Sequence, residues 1–374
     1  MSIHKRDTTR GTRYDVRLRT ADGKPYKRTF RTKDEARAWE RSELTARDRG
    51  DWADPSARRR TYAEVAVEWM ASNPAKRAST RGRDRSALER HVLPHLGDKR
   101  IGSIVPADVQ ALVAKMSATL GAATVVRNYN VAAAVFRYAT DRDYIAKSPC
   151  RTVKLPRIPR TKVHVFSPEQ LAALADAMPA EHAPMVWIGA LLGLRWGEVA
   201  ALAVADLDLL GRTLTVRRTV TRDDTGATSL GEPKSEAGRR TLTIPAPLGE
   251  VLSAHLATRG LTAADGDALL FPGPRGRPQI ASNWRRRVWL PAIIKIGLGT
   301  IDEKGHYEGP TFHDLRRTSA TGLVAAGVDV KTAQTRLGHS QVRLTLELYA
   351  QAVDEQDVKA SDALAARLMP SRTA

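Results

Sequence analysis

Six side chains in the second half of this sequence are of the types that act on an anionic phosphorus centre: Arg195, Lys234, His313, Arg316, His339 and Tyr349. Arginine carries a permanent charge and a fork of donors for phosphate oxygens. Histidine donates or moves a proton near neutral pH, and a lysine ammonium supplies one. Tyrosine acts as a nucleophile that splits one difficult displacement into two easier steps. The set therefore predicts chemistry on a phosphate.

Local patterns predict how the first arginine is held. A helix over about residues 183–192 is expected to end at Gly193, and Arg195 follows in a mostly apolar segment. An unpaired charge in such a segment is costly, and Glu198 stands one helical turn away as a partner. Taken alone, this pair has an equally good structural explanation as a simple ion pair.

Signals for helix starts and ends also lie beside the candidate residues that come later in the sequence. A helix is expected to open after Gly309-Pro310, with His313 and Arg316 on one face near an N-terminus that favours anions. Gly338 is expected to end the next helix, which places His339 at the start of the following one. In isolation, Tyr349 among leucines is typical of a half-buried core residue.

Two strands, 213–220 and 239–244, are predicted around a long polar segment that contains Lys234. A lysine on such a segment is usually only solvated, but a mobile loop can also bring an ammonium to a leaving oxygen in an assembled complex. Neighbouring Lys and Arg residues leave the choice of lysine open on the residues alone.

The phrases GLRWGE, EPKSEAGRRTLTIP, TFHDLRRT, TRLGHS and LTLELYAQ, in this order, resemble the tyrosine recombinase (phage integrase) family. The resemblance covers nearly the whole chain and is most specific over 188–350. It implies the roles that follow. Arg195 and Arg316 bind the phosphate, Glu198 supports Arg195, Lys234 protonates the departing 5′ oxygen, His313 and His339 assist at the phosphate, and Tyr349 attacks.

The amino-terminal region predicts a small sheet packed on one helix. Residues 13–20 and 26–32 alternate around Asp22-Gly23, a hairpin signal, and a helical stretch with Ala36 and Trp39 follows. Arg13, Arg17 and Arg19 share one strand face, which suits a DNA groove or is simply solvated. By the resemblance, this region corresponds to the domain with which many integrases bind accessory arm sites.

Residues from Tyr62 to about Asp143 are predicted to be mostly helical, with their aromatic residues in the core. By the resemblance this bundle is the core-binding domain. Phosphate contacts are expected from its basic run of Lys76, Arg77, Arg81, Arg83 and Arg85. Ser167, Pro168 and Gln170 predict a capped helix that opens the catalytic domain.

The expected fold is therefore a multidomain α+β protein. It comprises a small three-stranded sheet plus helix, an all-α core-binding domain, and a mainly α catalytic domain with a small antiparallel sheet. The expected divisions are an arm-type DNA-binding domain at 1–54, a linker at 55–61, the helical domain at 62–155, a linker at 156–166 and the catalytic domain at 167–374.

Composition restricts the function further. The formal net charge is +19 among 374 residues, and nearly all of the excess lies before residue 163, which favours a polyanionic partner such as DNA over a general solubility bias. A single cysteine excludes an internal disulfide and a cysteine-built zinc site. We expect no metal, no cofactor, no membrane segment and a cytoplasmic location on DNA in a bacterial host.

The expected partners are double-stranded DNA with core and arm attachment sites, and three further copies in a homotetramer that forms on DNA from free monomers. A directionality factor and a host DNA-bending protein are possible additions. An amphipathic tail helix over 354–369 packs either on its own domain or on a neighbour. The alternatives are a type IB topoisomerase-like nicking-closing enzyme, a non-catalytic DNA-binding regulator and, within the recombinases, a chromosome-dimer resolvase.

Overall fold

The computed structural model describes residues 2–9, 11–19, 25–48, 59–159, 163–223, 225–233, 236–303 and 305–338. The chain separates into two compact units, which divide between residues 160 and 161. The first unit contains a sheet, its helix and a helical bundle; the second is mainly helical with short antiparallel strands. The predicted multidomain α+β fold is confirmed.

A three-stranded antiparallel sheet begins the first unit. Its strands are β1 Ser2–Thr8, β2 Gly11–Arg19 and β3 Pro25–Phe30, in the order β1-β2-β3, and helix α1 (Lys33–Asp48) follows. Val16, Leu18 and Ala36 are buried, and Phe30 packs on Trp39 with ring centroids 5.5 Å apart. The alternation of strand side chains therefore gives this sheet one face for α1. The hairpin turn at residues 22–23 lies outside the described residues.

The bundle of the first unit contains five helices: α2 Tyr62–Ala71, α3 Ala78–Ala87, α4 Leu93–Leu96, α5 Pro106–Ser117 and α6 Ala122–Asp141. A π-helical turn over Leu88–Val92 joins α3 to α4. Tyr62 and Phe136 are fully buried, with ring centroids 5.0 Å apart, and Tyr129 is 8% exposed. The predicted helical character and the core position of these aromatic residues are confirmed.

Eight helices and seven short strands are described in the second unit. The helices are α7 Pro168–Ala177, α8 Pro184–Leu192, α9 Trp196–Val199, α10 Ala246–Thr258, α11 Ala281–Trp284, α12 Leu290–Lys295, α13 Phe312–Ala325 and α14 Val330–Leu337. The strands are β4 Leu207–Asp208, β5 Thr213–Val216, β6 Thr219–Arg222, β7 Thr228–Gly231, β8 Arg240–Thr243, β9 Thr300–Ile301 and β10 Tyr307–Glu308.

The opening of this unit follows its predicted capping signal. Ser167 Oγ accepts a hydrogen bond from the Gln170 N–H, the Gln170 side chain accepts one from the Ser167 N–H, and Pro168 occupies the first turn of α7. Helices α8 and α13 pack closely together, because Gly189 leaves room for Leu315 and Phe312. This contact brings the segments around Arg195 and Arg316 into one region.

The predicted strand over 213–220 is divided in the structure. Its first part, β5, pairs with β4 and β8, whereas its last residues belong to β6, which forms a separate hairpin with β7. Arg217 and Arg218 lie at the break, and both side chains pair with the buried carboxylate of Asp206. The alternating pattern continues through this break, so that the pattern alone predicts one strand.

Two predicted segments lie wholly or partly outside the described residues: the tail helix over 354–369 and most of the linker over 55–61. Within the part of the chain that is described, no helix is long and apolar enough to cross a membrane.

Candidate active site

Arg195 follows the end of α8 directly. Gly193 closes that helix in the left-handed conformation with φ of 65°, and Arg195 is the N-cap of the short helix α9. Its Nη1 donates to Glu198 Oε1 at 2.7 Å, and its backbone N–H donates to Glu198 Oε2 at 3.0 Å. The expected pairing of Arg195 with Glu198 is therefore present. With 42% of its side chain exposed, Arg195 remains accessible to a ligand.

Glu198 also binds a second arginine, which the sequence analysis did not select. Arg240, the first residue of β8, donates from Nη2 to Glu198 Oε2 at 2.9 Å, and both side chains are almost fully buried. Burial acts to raise the pKa of Glu198, but the charge and hydrogen bond of Arg240 and the contacts with Arg195 hold it below its ordinary value. Glu198 is therefore ionised at neutral pH.

Arg316 lies one turn into α13 and is 3% exposed. Its Nη1 donates to the Gly193 carbonyl at 2.7 Å, and its Nη2 donates to the Leu337 carbonyl. Burial, together with the nearby charges of Arg195 and Arg240, lowers the pKa of Arg316 to about 9. The guanidinium still carries its charge at neutral pH, and an anion beside it would offset the cost of burying that charge.

The carboxyl end of α14 is held by these same arginines. Arg240 Nε donates to the Arg336 carbonyl at 2.7 Å, Arg316 to the Leu337 carbonyl, and Arg195 Nη2 to the Gly338 carbonyl at 3.2 Å. The last carbonyls of a helix have no partner within it and carry partial negative charge. Three successive carbonyls are thus bound by three arginines from three different elements.

Gly338 is required at this position for two reasons. It ends α14 in the left-handed conformation with φ of 61°. A Cβ there would lie 2.8 Å from the Ala237 carbonyl oxygen and 2.9 Å from Arg240 Nη1. The glycine of the TRLGHS phrase therefore allows both the chain reversal and the close approach of Arg240.

His313 is exposed at the start of α13, one turn before Arg316. Its pKa lies below the ordinary histidine value because of desolvation and the positive charges of Arg316, Arg317 and Arg195. The neutral imidazole is therefore the main form at pH 7. The helix start is fixed by Asp314, whose Oδ2 accepts from the Thr311 N–H at 2.7 Å and from its hydroxyl at 2.8 Å.

A cleft of about 850 Å³ opens beside Arg240, between the β5–β8 strands and the β6–β7 hairpin. Four arginines line it, namely Arg217, Arg218, Arg239 and Arg240, with one carboxylate, Glu232. Each of these arginines already has a carboxylate partner: Asp206 for Arg217 and Arg218, Glu232 for Arg239, and Glu198 for Arg240.

Three candidates cannot be placed. Lys234, His339 and Tyr349 lie outside the described residues. The described residues end at Gly338, directly before His339, and Lys234 falls between the described residues 233 and 236. The structure therefore brings together Arg195, Glu198, Arg316 and His313. Among the residues that are described, no three His, Cys, Asp or Glu side chains are grouped as metal ligands.

Of the three sheet residues that are predicted to contact DNA, two are exposed and one is half-buried. Arg17 and Arg19 are exposed on β2, whereas Arg13 is half-buried. Asp15, on the same strand face, is 3% exposed; its carboxylate accepts a hydrogen bond from Thr29 Oγ1 at 2.6 Å and pairs with Arg6 and Lys27. The face is therefore basic around one buried acid, which the sequence analysis missed.

The basic residues of the bundle that are predicted to contact DNA differ in their exposure and in their contacts within the protein. Lys76 is half-buried, pairs with Asp84 and lies over the Trp69 ring at 4.2 Å. Arg81 is half-buried and donates to the Lys76 carbonyl at 3.0 Å. Arg77, Arg83 and Arg85 are exposed. Arg83 also donates to the protein, from Nε to the Ser79 carbonyl at 3.2 Å, so these three residues differ from Lys76 and Arg81 in their exposure.

The main omission of the sequence analysis is Arg240. A signal for it exists: along β8, Arg240 and Leu242 are buried while Thr241 and Thr243 are exposed. An arginine at an inward position of an alternating strand predicts a buried partner. That signal indicates burial, but it does not identify the partner.

Comparison with known proteins finds two family profiles and a related integrase that match this chain. The sequence profile of the Phage integrase family matches residues 164–356, and that of the Phage integrase central domain matches residues 62–155. The integrase of Mycobacterium phage D29 is 27% identical over 361 residues, which cover 92% of each protein.

Two solved structures share the fold. The Tn1549 transposon integrase in complex with transposon right-end DNA superposes with a TM-score of 0.66 at 21% identity, over 83% of this chain and 100% of that one. A lambda integrase tetramer bound to a Holliday junction gives a TM-score of 0.57 at 18% identity, over 91% and 96% of the two chains.

Proposed function

Because this chain belongs to the phage integrase family, the tyrosine recombinases, we propose that it is the site-specific integrase of a phage or other mobile element. It cuts and rejoins double-stranded DNA, and it integrates and excises that element between attachment sites. The similarity to the D29 phage integrase along nearly the whole of both proteins supports this. So does the shared fold with integrases whose structures contain DNA.

One observation carries the proposed chemistry. The guanidinium groups of Arg195 and Arg316 come from different elements and are fixed in one region by buried acceptors, with Arg240 behind them and Glu198 as a counter-charge. Preorganised cations of this kind stabilise the charge that develops on phosphate oxygens in a displacement. Arg195 and Arg316 would hold the two non-bridging oxygens of the scissile phosphate.

The reaction then proceeds by two balanced displacements. Tyr349 gives its phenolic proton to a histidine of the site, its oxygen attacks phosphorus in line, a bond forms between them, and the bond from phosphorus to the 5′ oxygen breaks. Lys234 gives a proton to that oxygen, so that a 5′ hydroxyl and a 3′-phosphotyrosine result. His313 and His339 assist at the phosphate oxygens. A 5′ hydroxyl from another duplex then gives its proton back to Lys234 and attacks the phosphotyrosine. This reseals the strand and releases the Tyr349 oxygen, to which the histidine returns its proton.

The same proposal assigns the other regions. Residues 1–54 bind arm sites, residues 62–155 grip the core site, and residues 167–374 perform the chemistry. On DNA four copies assemble from free monomers, as in the lambda integrase tetramer, and the tail over 354–369 docks on a neighbouring copy. A directionality factor and a host DNA-bending protein act with it in the bacterial cytoplasm.

The experiment is to trap covalent protein–DNA complexes. Wild-type protein and Tyr349→Phe are mixed with sheared DNA from the source genome and its mobile element, quenched with detergent, and the attached DNA is sequenced. We expect fragments joined at one defined position with wild type and none with Tyr349→Phe. Nicking and closing without strand exchange between two duplexes would instead indicate a topoisomerase. Reversible binding alone would indicate a regulator.

A further inference from the structure

Arg240 makes three hydrogen bonds that diverge from one buried guanidinium. Nη2 donates to Glu198 Oε2 at 2.9 Å, Nε to the Arg336 carbonyl at 2.7 Å, and Nη1 to the Gly238 carbonyl at 3.1 Å. Only the last is local, since Glu198 is 42 residues away and Arg336 is 96 residues away in sequence. Arg240 thus joins two segments that the chain itself does not hold together.

Both segments contact the phosphate-binding arginines of the proposed site. Glu198 fixes Arg195 through both its backbone N–H and its guanidinium. Arg336 lies at the end of α14, and the chain continues from there through Gly338 to His339 and Tyr349. A shift of α14 away from Glu198 would therefore move the Leu337 and Gly338 carbonyls, which the phosphate-binding arginines contact.

Arg240 differs from the equally buried Arg316 in that all three of its nitrogens, and not two, donate to acceptors among the described residues. Only 4% of its side chain is exposed, and Glu198, Arg336 and Gly238 already occupy donors on all three of its nitrogens. Its charge neither faces solvent nor lacks a partner. These contacts indicate that Arg240 holds neighbouring groups in place and does not itself bind DNA.

We propose that Arg240 is a positioning residue, which holds the carboxyl end of α14 against the Glu198–Arg195 pair. This inference rests on the proposed function, because it assigns how that active site is assembled. The planar guanidinium is needed because its donors point in three directions at once. A lysine ammonium at this position carries the same charge but concentrates its donors on one atom.

The test uses the full chain and the DNA site recovered by covalent trapping. Single-turnover rates of phosphotyrosine formation are measured over a range of protein concentrations for wild type, Arg240→Lys and the control Arg259→Lys. Arg259 is half-buried and likewise donates to backbone carbonyls, those of Leu269 and Leu270, which lie outside the site. Thermal unfolding of each protein shows whether the variants fold.

We expect the rate at saturation to fall about 10- to 100-fold in Arg240→Lys, because misplacement of reacting groups by about 1 Å has effects of this size. Half-saturation should stay within about 2-fold of wild type, since bound DNA does not touch Arg240. Arg259→Lys should cleave at the wild-type rate. An Arg240→Lys protein that folds and cleaves at the wild-type rate would overturn the inference.

A second substrate separates the two sides of Arg240. In DNA with a bridging 5′ sulfur at the scissile position, the leaving group departs as a thiolate and needs no general acid. If Arg240 positions the α14 end, Arg240→Lys remains slow on this DNA. Restoration to the wild-type rate would overturn the inference and show that the residue serves the loop of Lys234 through Gly238. Wild type that forms no covalent complex on any DNA would refute the proposed function itself, whatever Arg240 does.

Discussion

Arg195 and Arg316 bind successive carbonyls of one chain segment: Arg316 donates to Leu337 and Arg195 to Gly338. The two guanidiniums are therefore held in register by the segment that leads into His339. In the proposed reaction the same segment carries the nucleophile ten residues later. The positions of Arg195 and Arg316 are thus tied to the end of α14 through backbone hydrogen bonds, and we expect changes there to disturb both arginines.

Substitution of Gly338 tests this coupling. Gly338→Ala places a Cβ 2.8 Å from the Ala237 carbonyl and 2.9 Å from Arg240 Nη1, in a left-handed conformation. The left-handed backbone alone costs about 1–2 kcal/mol for alanine. We expect a larger loss in the free energy of urea unfolding, and at least about a 10-fold loss in the rate of phosphotyrosine formation, because α14 must shift.

Gly327→Ala is the matched control. Gly327 also has positive φ, 72°, but a Cβ there meets nothing within 4 Å. It should show only the backbone cost and a normal rate of cleavage. Equal effects of the two substitutions on both stability and rate would show that the close approach at Gly338 has no importance.

Loss of Arg316 should remove both a structural and a chemical function. Arg316→Gln leaves the Gly193 and Leu337 carbonyls without their partner, which we expect to cost about 2–4 kcal/mol of unfolding free energy. Phosphotyrosine formation should fall by about 10²- to 10³-fold, as for other losses of a preorganised donor.

Arg259→Gln provides the comparison, because Arg259 Nη1 donates to the Leu269 and Leu270 carbonyls at 2.6 Å. Its stability should fall, yet folded protein should cleave DNA normally. A normal cleavage rate in folded Arg316→Gln would exclude Arg316 from the chemistry.

Glu198 should make stability depend on acid pH. The folded state holds its pKa below the ordinary value, so its stabilising contribution is complete above about pH 4.5 and is lost as pH falls through the folded pKa. Glu198→Gln should be less stable by about 2–3 kcal/mol at pH 7, where two arginines lose their counter-charge. Urea unfolding at pH 7 and at pH 4 should show a smaller acid loss in the variant than in wild type.

Glu232→Gln is the control for this pH effect. Glu232 pairs with Arg239, and both side chains are more than half exposed. An exposed pair contributes little, so this variant should follow the wild-type pH curve. If Glu198→Gln also follows it, the ionised carboxylate is not what stabilises the arginine cluster.

The exposed basic face of the amino-terminal sheet should bind DNA through phosphates. Arg17 is exposed on β2 beside Arg19 and opposite Lys27. Arg17→Ala should reduce the slope of log affinity against log salt by about 0.9, as expected for one lost phosphate contact. Fluorescence anisotropy with arm-site DNA at several salt concentrations measures this slope. Arg41→Ala, exposed on α1, should leave it unchanged; identical slopes for all three proteins would exclude Arg17 from the interface.

The sequence alone determined the features that depend on neighbours along the chain. Alternation over residues 13–20 and 26–32 predicts two strands of the amino-terminal sheet, because strand side chains repeat every two residues. Ser167 and Gln170 predict a helix start, because their capping bonds span only three residues. The spacing of Arg195 and Glu198 likewise predicts their ion pair, which the structure contains. The phrases around the six candidate residues were sufficient to identify the family.

The tertiary structure alone decided what joins these local units. Arg195 reaches Gly338 across 143 residues, Arg316 reaches Gly193 across 123, and Arg240 reaches Arg336 across 96. No periodic pattern encodes such contacts, because the acceptors are backbone carbonyls that every residue possesses. Which carbonyls are free depends on where α8 and α14 end, and which arginine reaches them depends on how α8 packs on α13. The assembly of the candidate site is therefore a property of packing, whereas its chemistry is already visible in the residue types.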